Sequence, residues 1–234
     1  MRMKQLLSPL LLAGFLISCG EGVGPDAATD DVLLNSTLNL VKWSKDGTPT
    51  FSAEGDVGTA GTLGGDSPLL SLSGGDGGTY TDDYQVTFWA VSGEHRYVQL
   101  NYTNDDGLEV PFMRLDVYEP LELADGSEIG VGDSVAIRVY AKLNQMEVRL
   151  EPHGLRFGRK KLSTLQMWYT GANGDLNDDG VVDDYDQQIE YNMLGLWYQA
   201  TSDDPWTILN AEQDFAADLI TGDLEHFSGY AVAW

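Results

Sequence analysis

The stretch Tyr84-Gln85-Val86-Thr87-Phe88-Trp89-Ala90-Val91 decides the fold of this 234-residue chain. Successive side chains of a β-strand point to opposite faces of the sheet, so every second residue shares a face. Val86, Phe88 and Ala90 therefore fall together on one apolar face. This period of two predicts a β-strand that packs one face against a core.

Further short runs fit strands in the same way. They are residues 96–102, which follow a turn at Gly93-Glu94, and then 134–140, 146–150, 162–169, 194–198, 206–209 and 229–234. The predicted inward residues include Val98, Leu100, Tyr102, Val135, Ile137, Val139, Met146, Val148 and Leu150, and the predicted outward ones include Glu147 and Arg149. Short strands separated by turn signals are typical of an antiparallel β-sandwich. We therefore predict an all-β fold, with the sandwich over residues 84–234.

The N-terminus has the features of a bacterial export signal. Arg2 and Lys4 precede an apolar run over residues 6–17, which is too short to span a bilayer. The following Leu16-Ile17-Ser18-Cys19-Gly20 resembles a lipobox, and Cys19 is the only cysteine. The resemblance implies that residues 1–18 are removed and that Cys19 is lipidated. Because Gly20 rather than Asp follows the cysteine, it also implies an outer-membrane lipoprotein of the bacterial cell envelope, anchored by lipid and not membrane-spanning.

Residues 19–83 are predicted to form a tether and linker. Residues 20–36 hold turn formers, acids and few apolar side chains, and residues 54–79 hold nine glycines. Such composition favours flexible chain over packed structure. Residues 37–43 are the exception, since their apolar residues could form an early strand.

The formal net charge of −24 excludes one class of partner. A chain this acidic is repelled by phosphate backbones, so we expect no binding to nucleic acid. The three histidines, His95, His153 and His226, show no close metal spacing, which makes a zinc site unexpected. Neither a Gly-x-Ser-x-Gly elbow nor a phosphate loop occurs. Paired carboxylates are too numerous to single out any one pair.

The stretch Asp175-Leu176-Asn177-Asp178-Asp179-Gly180-Val181-Val182-Asp183-Asp184-Tyr185-Asp186 has the spacing of a calcium loop. A twelve-residue loop of this kind places oxygen ligands at positions 1, 3, 5, 7, 9 and 12 and a glycine at position 6. Gly180 is that glycine, and Val182 at position 8 is expected to tie the loop to its surroundings. The predicted Ca²⁺ ligands are Asp175, Asn177, Asp179, the backbone carbonyl of Val181, Asp183 and Asp186. The alternative is an acidic turn without a metal.

Position 12 holds Asp186, where an EF-hand usually has Glu. With this change, residues 174–182 are similar to a repeat of the dockerin family, which carries two such loops; only one occurs here. The segment after the loop is ambiguous. Ile189, Met193 and Leu196 fit a helical period, while Gly195 favours a strand. We predict one short helical turn near residues 184–191, followed by a strand.

Three segments carry a second resemblance. They are residues 151–157 (Glu-Pro-His-Gly-Leu-Arg-Phe), the pair 196–198 and 206–209, and the C-terminal residues 224–234. Together they resemble the ZU-type β-sandwich module, related to zona-occludens and netrin-receptor domains and found in bacterial surface lipoproteins. The resemblance implies a structural or interaction module with no catalytic residues to transfer. A calcium loop inserted between Tyr169 and Leu194 departs from the plain module.

These observations predict a non-catalytic envelope lipoprotein with one structural Ca²⁺ site. Its partners would be the membrane, through Cys19, and a protein or polysaccharide at the surface. Two alternatives remain open. One is a dockerin-like adhesion module that binds a cohesin-type partner. The other is a carbohydrate-binding or carbohydrate-active protein, for which Trp89, Trp168, Trp197, Trp206 and Trp234 are candidate stacking residues.

Overall fold

A computed structural model describes residues 38–44, 49–56, 83–158 and 161–234. Cys19, the signal segment 1–18 and most of the predicted tether lie outside the described residues. The elements are β1 (Phe51–Gly55), β2 (Tyr84–Val91), β3 (Arg96–Thr103), β4 (Glu109–Val117), β5 (Pro120–Glu122), β6 (Ser134–Ala141), β7 (Glu147–Glu151), β8 (Arg156–Phe157), β9 (Ser163–Trp168), α1 (Asp184–Asn192), β10 (Gly195–Gln199), β11 (Thr207–Ile208), β12 (Ala211–Asp214), β13 (Leu219–Leu224) and β14 (Gly229–Ala233).

Twelve of the strands form two six-stranded sheets. The first sheet has the order β1-β3-β4-β9-β13-β12, and the second has the order β11-β10-β14-β7-β6-β2. Every pairing within them is antiparallel. Strands β5 and β8 pair separately. The predicted all-β antiparallel sandwich is therefore confirmed.

A continuous apolar core lies between the sheets. Phe88 of β2 and Ile137 of β6 come from the second sheet, and Leu100 of β3 and Leu165 of β9 come from the first; all four are fully buried. The alternation seen in the sequence produces this arrangement, because each strand gives one face to the core.

The residues before β2 belong to the same unit, which spans Leu38–Trp234. The backbone N–H of Asn39 donates to the Trp234 carbonyl at 3.1 Å, and that of Val41 donates to Val232 at 3.0 Å. Segment 38–44 pairs through isolated bridges rather than as a continuous strand. The side chain of Trp43 is buried among the rings of three other residues, Phe51, Tyr102 and Phe112. The sandwich therefore takes in residues that the sequence pattern had assigned to the tether.

One predicted orientation is wrong. Glu147 was expected to face solvent, but it is only 6% exposed. Segment 38–44 lies beside this end of β7, since the N–H of Met146 donates to the Val41 carbonyl at 2.8 Å. The Glu147 carboxylate itself accepts the side-chain N–H of Gln145 at 2.5 Å, and its neighbours remove the solvent that the alternating pattern implied.

The segment after the loop forms a helix and then a strand, as predicted. Helix α1 spans nine residues, and β10 follows it from Gly195. Among the described ranges, no helix is long and apolar enough to cross a bilayer.

Candidate metal centre

The predicted calcium loop, residues 175–186, follows β9, includes the first turn of α1 and is fastened to the sandwich at its entry. The N–H of Asn173 donates to the Lys42 carbonyl at 2.8 Å, and Ala172 pairs with Trp43. Leu176 packs against the core, and its carbonyl accepts the indole N–H of Trp234 at 3.3 Å. The N-terminal segment thus holds the residues just before the loop, and the C-terminal Trp234 holds loop position 2.

Val182 does not tie the loop down as the sequence suggested. Its side chain is 70% exposed, and that of Val181 is also exposed. Leu176 takes over that role, because position 2 faces the core while positions 7 and 8 turn outward.

The first half of the loop is shaped by its own carboxylates. Asp175 accepts the backbone N–H of Asp179 at 3.0 Å and that of Gly180 at 2.8 Å. Asp179 in turn accepts the N–H of Val181 at 2.9 Å. Gly180 has φ +90°, a conformation that L side chains disfavour and glycine permits. The glycine expected at position 6 therefore sits where the chain turns.

Asp186 closes the loop. Its carboxylate is 3% exposed and accepts three backbone N–H groups, from Leu176 at 2.8 Å, Asn177 at 3.3 Å and Asp183 at 2.8 Å. These bonds, that of Asp183 first, hold the pKa of Asp186 below its usual range. The residue is therefore ionised at neutral pH.

The same carboxylate begins helix α1. Asp183 is the N-cap, and its side chain accepts the N–H of Tyr185 at 2.8 Å. Asp186 at position N3 accepts the N–H of Asp183 in return, which makes a capping box. The last predicted ligand thus serves the loop and the helix together.

The donor chemistry of the predicted ligands fits calcium. Four carboxylates, one amide oxygen and one backbone carbonyl supply only oxygen, which Ca²⁺ prefers. An ionised carboxylate offers about four lone-pair sites. The hydrogen bonds from backbone N–H groups described above occupy two lone-pair sites at Asp175 and three at Asp186. Both carboxylates therefore retain capacity for another partner.

The side chains are nevertheless turned towards the loop's own amides. Across the described residues, no three His, Cys, Asp or Glu side chains form a group that could hold a metal ion. Calcium binding would require the carboxylates of the loop to converge further. The structure brings the predicted ligands onto one short turn but does not assemble them into a coordination shell.

A cavity of about 270 Å³ lies beside the loop. Asp186, Glu190 and Asp218 are among its lining residues. Burial, and then the nearby Asp218 carboxylate, raise the pKa of Glu190. Lys42 forms an ion pair with Asp178 of the loop. The loop and the cavity beside it therefore bring several carboxylates close together, and Lys42 offsets part of their negative charge.

The histidines lie elsewhere. His95 contacts Asp116 at 2.6 Å, where Arg114 also donates to the same carboxylate at 2.8 Å. His226 packs its ring edge against Tyr198. This cluster of His95, Arg114 and Asp116 was missed in the sequence, because His95 lies just before β3 while the other two lie on β4, with no motif in common.

Comparisons of the chain with protein-family models, with curated proteins and with solved structures find no match. The dockerin, lipobox and ZU-type resemblances therefore stay predictions from the sequence.

Proposed function

We propose that this protein is a non-catalytic, lipid-anchored module of the bacterial cell envelope in which residues 175–186 bind one structural Ca²⁺ ion. The ligands would be Asp175, Asn177, Asp179, the Val181 carbonyl, Asp183 and Asp186. Cys19 would carry the lipid. The ion's role would be to fasten an acidic loop to the sandwich, and the module's role would be to contact another molecule at the surface.

The position of Asp186 carries the proposal. It is buried, its pKa is lowered, and it joins positions 2, 3 and 9 of the loop through backbone amides. The carboxylate proposed as the final ligand is thus charged and already held close to both halves of the loop. Six aspartates occupy these twelve positions, so their mutual repulsion opposes a closed loop and a divalent cation would relieve it.

The test is calorimetric unfolding of the mature chain without Cys19 (residues 20–234), in calcium and in EGTA. An ion that binds only the folded state adds about 2.7 kcal/mol at a concentration of about 100 times Kd. We expect a higher Tm in calcium and the loss of that increment in Asp175→Ala or Asp179→Ala. Asp203→Ala, an exposed acid outside the loop, is the matched control. Equal Tm values in calcium and EGTA would disprove the metal site.

Lipidation is tested separately in a Gram-negative host. Metabolic labelling with a palmitate analogue should mark the full-length protein in the membrane fraction. Cys19→Ser should abolish the label. A labelled Cys19→Ser protein, or an unlabelled wild type, would contradict the anchor.

A dockerin-like adhesion role is the second candidate. Helix α1 directly follows Asp186 and leaves Tyr185 and Tyr191 about half exposed. Apolar side chains at the surface of a loop and helix are typical of a protein contact. The role would be supported by calcium-dependent binding of a cohesin that Tyr185→Ser weakens. Absence of binding to a panel of cohesins would remove this candidate.

A further inference from the structure

A cavity of about 540 Å³ opens at the end of the sandwich where β3 and β9 end and β4 begins. Three aromatic side chains, Trp43, Tyr102 and Trp168, line it. Its volume lies within the range of small-ligand sites, about 300–1,000 Å³. Nothing in the proposed calcium role uses this cavity.

The apolar wall of the cavity, formed by Trp43 and Tyr102, is preformed in the ligand-free protein. The Trp43 indole donates to the Lys142 carbonyl at 3.3 Å, and its ring lies 5.1 Å from that of Tyr102. Gly171 allows this approach, since a Cβ there would come within 2.9 Å of both rings. The rings are therefore fixed by the fold, so little ordering is needed on binding.

The three rings differ in accessibility. Trp43 and Tyr102 are each only 8% exposed, whereas Trp168 is partly exposed on the outer side of β9. The cavity is therefore lined by one accessible indole and by two rings that are almost fully buried. That arrangement suits a ligand that lies flat on a single ring and does not form the multi-sided cage that encloses an organic cation.

Polar side chains line the rest of the cavity. Thr103, Asn104, Asp106 and Thr170 contribute hydroxyl, amide and carboxylate oxygens. The Asn104 side chain accepts the N–H groups of Asp106 at 3.1 Å and Leu108 at 2.9 Å, which fixes the turn that forms this rim. The Asn104 amide oxygen is thereby fully used, and the hydroxyls of Thr103 and Thr170 and the Asp106 carboxylate are the groups suited to accept hydrogen bonds from a ligand with several hydroxyls.

A pyranose ring combines the two required properties, because one face presents C–H groups and the edge presents hydroxyls. Carboxylates at the rim and a net charge of −24 disfavour acidic sugars. We propose that this cavity is a binding site for neutral oligosaccharides, with Trp168 as the stacking residue and the oxygens of the 103–106 rim as hydroxyl acceptors.

The experiment is NMR titration of ¹⁵N-labelled mature chain (residues 20–234) with cellotriose, maltotriose, mannotriose and xylotriose, to about 10 mM so that millimolar Kd values are reached. The six tryptophans give separate indole N–H signals, and the signal lost in Trp168→Ala identifies Trp168. We expect at least one sugar to shift that signal with saturation. Trigalacturonate and choline are the charged probes.

Trp168→Ala should weaken that binding at least tenfold. Trp89→Ala, which removes a partly exposed strand tryptophan from the other sheet, should leave it within twofold. If Trp168→Ala fails to fold, Ala217→Gln keeps the indole and places a larger side chain on the cavity wall, and it should give the same loss. Saturable binding by none of the four neutral sugars, tighter binding of trigalacturonate or choline, or an equal effect of Trp89→Ala would each overturn the proposal.

Discussion

Asp186 and Leu176 are joined across the loop, because the Leu176 N–H donates to the Asp186 Oδ1 atom at 2.8 Å. Leu176 also packs against the core, while Asp186 stands in the first turn of α1. The hydrogen bond therefore connects sandwich, loop and helix through one carboxylate. This hydrogen bond holds the loop closed without a bound cation.

We expect Asp186→Ala to destabilise the protein by about 1–3 kcal/mol even in EGTA. The change leaves three backbone N–H groups without their acceptor and removes half of the capping box. Chemical unfolding monitored by far-ultraviolet circular dichroism measures the loss. Asp184→Ala is the control, since this residue is exposed in the same turn and should cost much less. If both variants lost the same amount of unfolding free energy, removal of a negative charge, and not loss of the hydrogen bonds that close the loop, would explain the effect.

The hydrogen bonds through which Asp186 closes the loop are also expected to be lost at acid pH. The lowered pKa of Asp186 means that the folded form binds its proton more weakly than the unfolded chain does. Its stabilisation is therefore complete above the unfolded pKa of about 3.8 and is lost as pH falls through the lower folded value. Hydrogen exchange at the Leu176 and Asp183 amides should accelerate in that window beyond the intrinsic trend. Unchanged protection below the folded pKa would contradict this assignment.

The contribution of Glu147 to stability should depend on pH in the opposite direction to that of Asp186. Burial raises its pKa, so the folded state retains the proton to higher pH than the unfolded chain. Stability then falls as pH rises from the unfolded value of 4.5 through the raised folded value, at about 1.4 kcal/mol per pKa unit. Glu147→Gln should therefore raise the Tm at pH 7 and have little effect below pH 4.5. The exposed Glu212→Gln is the control, and a destabilised Glu147→Gln at pH 7 would refute the prediction.

Gly171→Ala should destabilise the sandwich by about 1–3 kcal/mol through overpacking. Its Cβ would lie 2.8 Å from the Tyr102 ring and 2.9 Å from Trp43, and two packed rings cannot both withdraw easily. Near-ultraviolet circular dichroism should change along with the Tm. Gly229→Ala is matched, because its Cβ would meet neighbours at no less than 3.6 Å. Equal tolerance at both positions would mean that the rings are not closely held.

The domain boundary can be tested by truncation. A fragment of residues 38–234 should unfold cooperatively, whereas residues 84–234 should not. The shorter fragment lacks β1 and Trp43, and loss of a buried Trp side chain alone costs about 3–5 kcal/mol. Differential scanning calorimetry of the two fragments distinguishes the outcomes. A cooperative transition of equal Tm in the shorter fragment would show that segment 38–44 is dispensable.

Strands that bury one face could be predicted from the sequence because their alternation is regular. Val135, Ile137 and Val139 of β6 show it without interruption, and each is fully buried. In β4 the pattern fails, since Phe112 and Met113 are adjacent and both fully buried. The cause is an irregular register between β3 and β4 near Leu100 and Asn101. A bulge of this kind breaks the period of two on which the prediction rests.

The loop could be located from residue spacing, but its internal contacts could not. Asp186 is buried because of where Leu176 and α1 lie relative to each other. No local sequence pattern encodes that relative position. The cavity around Trp168 was equally hidden, because its walls come from segments as far apart as Trp43 and Ala217. The spacing of residues in the sequence can indicate a local loop, whereas this cavity forms only when distant segments come together in the fold.

The two ends of the domain meet, because Asn39 and Trp234 exchange backbone hydrogen bonds of 3.1 and 3.2 Å. Because the ends are adjacent, we expect the domain to tolerate a change in the order of its strands along the chain. A circular permutant that joins residue 234 to residue 38 by a short linker, with new termini at the exposed turn at Gly107, should keep the same two sheets. In such a chain the new termini would lie next to residues 103–106, which line the rim of the cavity around Trp168.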